Sequence, residues 1–491
     1  MGFINKIRTK AANMSPPVKA SIAFVICSFL QRGISTLTTP VFTRLLTTQE
    51  YGYYSIFNSW LEIISVFATL KLSGSVFMQA LVKFPDKKDE LTSSTAGLGT
   101  TITLLMVCLY LPFRHKVNEF MGMNTIIMLC IFAASWATMM FELWADQQRN
   151  DYKYKAIVLL TIITSLAKPI AGVIAILSTQ EYKAEARIIS LVAVELAAYS
   201  WLMILFLKKN RSFFNKRFWK YSLALNIPLI PHYLTRMILN QSDRIMINKM
   251  IGFSEAGIYS LAHNLAWILT LVTTAILNSF NPWIFQRIKA KEYHRIGKLS
   301  YAVLTLVAIA GFALIAVAPE VVTVFAPENY YEAIWVIPPL CVSVFFLFMY
   351  SLFADFEYYY EKSTFLMVAS TAGGVLNIIL NYYCIQTFGY IAAGYTTLFC
   401  YAFYAVAHYF CMKRIIKTNL DGIRIYNPLI ILGISGLFMG ASTVMMFTYQ
   451  LPVVRYVIIA VFLVVLIIMR KKLIGIIKEI RKKGKIKNKK D

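Results

Sequence analysis

The sequence lacks most of what a soluble enzyme would need. Only 15% of its 491 residues are charged and 24 are acidic, and no acidic catalytic cluster stands in a long connection. No P-loop of the form GxxxxGK[ST] occurs, which disfavours ATP-driven export by this chain alone. The seven cysteines, at 27, 108, 130, 341, 384, 400 and 411, lie in or beside apolar runs and form no CxxC pair. Neither a zinc site nor a disulfide framework is expected, and they read as small hydrophobes. A typical signal peptide is missing too: Met1 to Lys19 is a polar, basic lead, and no small-residue cleavage pattern follows Ser21 to Leu30. The first helix is therefore expected to stay in the mature chain.

What is abundant is apolar surface. The apolar set makes up 58% of the chain, against roughly 45–50% for a soluble domain even with glycine counted. A bilayer crossing takes about 20 consecutive, mostly apolar residues, and such runs recur from Ser21 to Met469. Backbone groups in hydrocarbon must pair within the chain, which favours helices for runs of this length. Aromatic residues reach 14%, and many tyrosines, such as Tyr51, Tyr53, Tyr54, Tyr330 and Tyr331, sit near run ends, where interfacial anchoring explains them.

The runs predict fourteen helices, at 18–46, 50–82, 91–112, 119–147, 153–178, 185–207, 218–249, 254–285, 299–319, 328–356, 364–386, 389–412, 427–448 and 451–470. The spans at 50–82 and 254–285 exceed the hydrocarbon and are expected to project or tilt. The net charge of +25 sits between the runs, which argues for membrane topology and against nucleic acid. Alternate connections carry 37 of the 49 Lys and Arg residues, and the opposite connections carry seven, with Glu50, Glu119, Glu181, Glu185, Glu255, Glu320, Glu328 and Glu332 nearby. That alternation never reverses, so both termini are expected in the cytoplasm. The basic tail 471–491 would hold the last helix in orientation and meet anionic headgroups. No connection is long enough to fold by itself, so no soluble catalytic module is expected.

Five basic residues remain inside the runs: Arg32, Lys71, Lys168, Arg236 and Arg244. Left in hydrocarbon they would together cost on the order of 15 kcal/mol, so a cavity, a partner or the membrane edge must receive them. Each has a second explanation, as an ion pair or a side chain snorkelling along its own stem. Asp243 adjoins Arg244, which suits a structural pair as well as substrate contact. Among the acids, Asp146, Asp355 and Glu357 fall at cytoplasmic ends, Glu62 and Glu195 lie deeper, and Glu142 is a further candidate. His263 reads as the one histidine well inside an apolar run, able to titrate near neutral pH or to act as a satisfied structural imidazole. The excess of cations would suit an anionic headgroup such as pyrophosphate, with arginine supplying paired donors and lysine a mobile charge.

A short repeat divides the chain. Glu50-Tyr51-Gly52-Tyr53-Tyr54-Ser55 and Glu255-Ala256-Gly257-Ile258-Tyr259-Ser260 share the pattern E-x-G-x-Y-S, with Arg44 and Lys249 six residues upstream. Transporters built from two repeated halves carry such echoes. The expected division is 1–210 and 211–420 as two lobes, 421–470 as two further helices, and 471–491 as the tail. Pro228 and Pro231, upstream of Arg236, would bend the seventh helix, either as a moving element or as static curvature.

Two segments carry a family resemblance. Arg32-Gly33-Ile34-Ser35, Pro40 to Leu46 and Glu50-Tyr51-Gly52 resemble the opening signature of bacterial polysaccharide-repeat-unit flippases, members of the multidrug/oligosaccharidyl-lipid/polysaccharide exporter superfamily. Leu239 to Ser260 resembles that family's seventh and eighth helices. The resemblance implies an all-α integral membrane fold of about fourteen transmembrane helices, with two six-helix lobes around a central cavity plus two C-terminal helices. It implies a non-enzymatic carrier that moves an undecaprenyl-pyrophosphate-linked oligosaccharide to the outer leaflet for capsule, exopolysaccharide or O-antigen assembly. Arg32, Lys71 and Arg236 would bind the pyrophosphate, with Lys168, Asp243, Arg244 and His263 as secondary cavity candidates. No cofactor or metal is implied; proton or sodium coupling is, with Glu142 and Glu195 as candidates. Implied partners are the lipid-linked glycan, membrane lipids, the polysaccharide polymerase and the chain-length machinery, and no nucleic acid. The setting is the bacterial cytoplasmic membrane. The alternatives are a multidrug or other lipid-linked-precursor exporter, which a net-positive cavity makes less attractive for organic cations, and a membrane glycosyltransferase or polymerase.

Overall fold

The computed structural model describes residues 16–420 and 422–482; within that range the side chains of a few positions, Arg236 and Leu239 among them, lie outside the described set. The described chain is helical throughout and divides into two compact units, Met1–Ile245 and Met246–Asp491.

The first unit holds α1 (Pro16–Leu45), α2 (Thr48–Thr69), α3 (Ser75–Lys83), α4 (Lys88–Met121), α5 (Thr125–Asn150), α6 (Tyr154–Leu177), α7 (Lys183–Tyr199), α8 (Trp201–Lys209), α9 (Lys216–Asn226) and most of α10 (Ile230–Met250). α5 lies at its centre, against α2, α4 and α7, while α1 packs on α6 and α6 on α7. The α5 residues Ile127, Ile131, Ala134, Met140 and Leu143 are wholly or almost wholly buried, whereas Ile163, Ile170 and Ile174 of α6 are exposed. An outward face this apolar is stable only against lipid.

The second unit holds α11 (Phe253–Ala266), α12 (Leu269–Lys289), α13 (Tyr293–Ala316), α14 (Ala318–Phe325), α15 (Ala333–Tyr359), α16 (Ser363–Phe388), α17 (Ala392–Asn419), α18 (Pro428–Phe447) and α19 (Pro452–Lys482). α15 is its core: α11, α13 and α17 all pack on it, and its side chains from Val336 to Phe346 are buried without a break. A helix apolar on every side belongs inside a bundle. α19 is the opposite case, since only 6% of its most apolar stretch is buried.

Among the described residues, nine helical stretches are long and apolar enough to cross a membrane, by length and composition. The chain is therefore an all-α, multi-pass membrane protein. α1, α2, α10, α16 and α17 fall outside those nine; α10 alone carries Arg236, Asp243, Arg244 and Lys249.

Several long runs are interrupted where unbroken helices were expected. The run 50–82 stops at Thr69 and restarts at Ser75. Leu70 and Lys71 both sit at φ 47 and Gly74 at φ 86, conformations that end an α-helix. The run 254–285 turns at Trp267 and Ile268, and 218–249 is divided by a 3₁₀ turn at Ile227–Leu229, where Pro228 withholds a backbone donor. Excess length is thus absorbed by breaks, as well as by any projection or tilt.

The two copies of E-x-G-x-Y-S open α2 and α11, one in each unit. In the first, Thr47 and Glu50 form a reciprocal capping box at the start of α2, which satisfies two orphan backbone donors. In both, the Gly and Ser of the motif are buried: Gly52 and Ser55, Gly257 and Ser260. Both copies serve packing, and the first also caps its helix.

Candidate functional site

In the first unit the intramembrane charges fall into three groups. Lys71 sits in the break between α2 and α3, half-buried, and Arg32 is exposed on α1 beside Gly33, where a Cβ would meet no atom within 4 Å. Among the described residues neither cation meets a carboxylate. The side chain of Arg236 lies outside the described residues, so only its place on α10 is known.

The second group joins α2 to the part of α10 within the same unit. Ser59 Oγ donates to Gln241 Oε1 at 2.9 Å, Gln241 Nε2 donates to Glu62 at 2.8 Å, and Arg244 Nη1 donates to the same Gln241 Oε1 at 2.9 Å. Ser59, Gln241, Asp243 and Arg244 are all buried, while Glu62 is exposed. A shared amide bonded to a hydroxyl, a carboxylate and a guanidinium holds helices in register.

The third group comprises acids already engaged. Glu195 accepts from Lys168 Nζ at 2.5 Å, joining α7 to α6, and Tyr199 donates to Thr164 at 3.1 Å nearby. Glu142 accepts from Ser73 Oγ at 2.5 Å, and Asp146, one turn on, accepts from the backbone N–H of Gly74 at 2.7 Å and from Arg149 at 2.9 Å. The two α5 carboxylates thus receive the backbone and hydroxyl that the break exposes, and they complement the N-terminal end of α3. In the connection between α5 and α6 Asp151 is partly buried, which would raise its pKa, yet the hydrogen bond and charge of Lys88 at 2.9 Å outweigh this and hold it below the usual carboxylate value.

In the second unit His263 is half-buried and stacks on Trp267 with centroids 4.4 Å apart. It is not the only histidine inside a run. His408 of α17 is buried and lies 2.7 Å from Glu357 of α15. Asp355 and Glu357 do occupy the end of α15, but both are enclosed, at 1% and 0% exposure. The pairing was invisible in the sequence because its partners stand 51 residues apart.

Arg187 is one of the seven cations that the charge count gives to the sparsely basic connections. It lies in α7, 8% exposed, with its guanidinium 3.6 Å from the Phe42 ring centre and 3.5 Å from that of Tyr54. Two aromatic faces attract a desolvated guanidinium, and they tie α1, α2 and α7 together. The cluster Phe42, Tyr51, Tyr54 was the available signal, since aromatic rings at run ends can hold a cation as well as an interface. Among the described residues no group of three or more His, Cys, Asp or Glu side chains could hold a metal ion.

This architecture matches known membrane proteins. The structure superposes on the lipid II flippase MurJ in an inward closed conformation with a TM-score of 0.69 and 15% identity, covering 92% of this chain and all of that one. It also superposes on an inward-facing multidrug resistance MATE family transporter with a TM-score of 0.60 and 12% identity, over 79% of this chain and 96% of the other. In sequence, the chain is 22% identical to the probable low-salt glycan biosynthesis flippase Agl15 of Haloferax volcanii, over 79% of this chain and 82% of that protein. It is 19% identical to Lsg locus putative protein 1 of Haemophilus influenzae, over 73% and 89%. The MatE family model matches residues 228–383. Residues 18–288, more than half the chain, match the model of the family described as polysaccharide biosynthesis protein, and the chain belongs to that family.

Proposed function

We propose that the protein flips an undecaprenyl-pyrophosphate-linked oligosaccharide from the cytoplasmic to the outer leaflet of the bacterial membrane, by alternating access and without covalent chemistry. The family match over residues 18–288 carries this reading, and the likeness to Agl15 agrees with it. Fourteen crossings, two six-helix lobes with two further helices, lobe boundaries at 1–210 and 211–420, and cytoplasmic termini belong to the same reading and rest on the charge alternation. Capsule, exopolysaccharide or O-antigen assembly would consume the product, through a polysaccharide polymerase and chain-length machinery.

Arg32 and Arg236, with Lys71, are the proposed pyrophosphate ligands. Arg32 and Lys71 have no carboxylate partner among the described residues, unlike Lys168, which supports this ranking. Proton or sodium coupling completes the cycle. Glu142 and Glu195 are less suited to it than their depth suggested, because each already holds a partner. The MatE match over 228–383 favours multidrug export as the second reading; a surplus of unpaired cations opposes organic cations as cargo.

The test is flipping of a defined lipid-pyrophosphate glycan by reconstituted protein. Arg32→Gln and Arg236→Gln should each lower the rate about tenfold or more, the loss of one charge-assisted hydrogen bond of about 1.5 kcal/mol, while the Lys variants keep part of it. Wild-type rates from properly inserted Gln variants would make these arginines structural. Export of organic cations with no movement of the glycan would replace the whole reading.

A further inference from the structure

α9 and the chain just before it carry six cations in a short stretch, Lys208, Lys209, Arg211, Lys216, Arg217 and Lys220. Its inner face is fixed: Phe218, Ser222 and Asn226 are buried, Phe218 meets Phe84 edge-on at 5.4 Å, and Trp219 Nε1 donates to the Ser94 carbonyl at 2.9 Å. Its other face borders an open groove of about 580 Å³, lined by two helical rows. One row reads Lys216, Lys220, Ala224, Pro228; the other reads Trp219, Leu223, Ile227. Phe214 closes the cationic end, edge-on to Trp219 at 4.7 Å.

The rows give the groove a direction. Both lysines stand at its beginning, and everything beyond Lys220 is apolar. At 1.5 Å per residue the apolar part runs about 12 Å. A second cleft in this unit, lined by Lys87, Lys88, Lys153 and Lys209 among others, shows the contrast. Its lysines are paired with Glu90, Asp151 and Asp89. Among the described residues Lys216 and Lys220 meet no carboxylate. Exposed lysines without counter-charge at one end of an open apolar groove fit an anionic headgroup carrying a hydrocarbon chain.

We propose that this groove is where a polyprenyl pyrophosphate lipid of the cytoplasmic leaflet first docks, its chain along Leu223, Ala224 and Ile227 and its pyrophosphate between Lys216 and Lys220. The proposal rests on the flippase reading for the choice of a single-chain pyrophosphate lipid. It adds a capture site distinct from Arg32, Lys71 and Arg236.

Binding of undecaprenyl pyrophosphate to the full-length protein in nanodiscs tests it, with phosphatidylglycerol at equal mole fraction as the two-chain anionic competitor. Each lysine near an anionic headgroup is worth about fivefold in affinity, so the Lys216→Gln/Lys220→Gln double variant should bind about 30-fold more weakly. Ala224→Trp, which fills the slot while leaving the buried face of α9 alone, should also weaken binding. The Lys216→Arg/Lys220→Arg variant should retain it, which shows that α9 is folded, and Lys289→Gln/Lys298→Gln should match wild type. Unchanged affinity in both the Gln double variant and Ala224→Trp overturns the proposal. Equally tight, lysine-dependent retention of phosphatidylglycerol overturns the single-chain assignment. Lysine-dependent binding without any flipping would remove the flippase reading and leave the docking site; flipping with lysine-independent binding would do the reverse.

Discussion

At the scale of single residues, the decisive property of a charge is whether its partner is already in place. Lys168 and Glu195 are in contact, with side chains 27% and 7% exposed. Removing one member of an enclosed pair strands the other, so Glu195→Gln should destabilise the protein by about 3–5 kcal/mol. Replacing both, as Lys168→Leu with Glu195→Leu, should restore most of that loss. Thermal unfolding in detergent reads both effects. If Glu195→Gln unfolds like wild type but loses gradient-driven transport, the pair is a coupling device and its structural role is wrong. The sequence places Lys168 and Glu195 within apolar runs, because a charge within such a run is visible from composition. It could not show that they meet, since the choice between paired and free depends on helix packing. The same limit hid Glu357 beside His408, and Arg187 between its two rings.

At the scale of elements, helix content and connection chemistry were legible and the breaks were not. Apolar runs report where a chain can cross, and the capping box of Thr47 with Glu50, a sequence signal that went unread, marks where a helix begins. Leu70 to Gly74 lies inside one continuous run, and the groups that make a break tolerable, Glu142 and Asp146, come from α5. Only the Ser73-Gly74 pair offered a local hint. Gly74, at φ 86 and ψ −141, occupies backbone space that other residues enter at about 1–3 kcal/mol. Gly74→Ala should lose that much stability although its Cβ has open space. An unfolding midpoint equal to wild type would show that the break relaxes without strain. Gly97 works differently: a Cβ there would lie 2.1 Å from the Phe213 carbonyl oxygen, so the absence of a side chain is what lets the strand of chain before α9 press onto α4.

At the scale of the molecule, charge bias along the chain predicts sidedness that coordinates alone do not contain. Single cysteines placed next to Lys87 and Lys291 in a cysteine-less background should react with a membrane-impermeant reagent only from the cytoplasmic face; labelling from outside would overturn the topology. The crossing count was hard to read from composition, because α2, α10 and α17 mix polar residues into their length and fall below what composition alone would accept. α2 shows what such a helix does with fixed ends. Its 22 residues span about 33 Å, close to the roughly 30 Å of bilayer hydrocarbon, and it can lengthen at neither end: the capping box holds one, the left-handed turn at Leu70 the other. As one of the fourteen crossings proposed from the charge alternation, it would meet lipids with longer chains only by standing more upright, which would make membrane thickness a variable to which this chain responds.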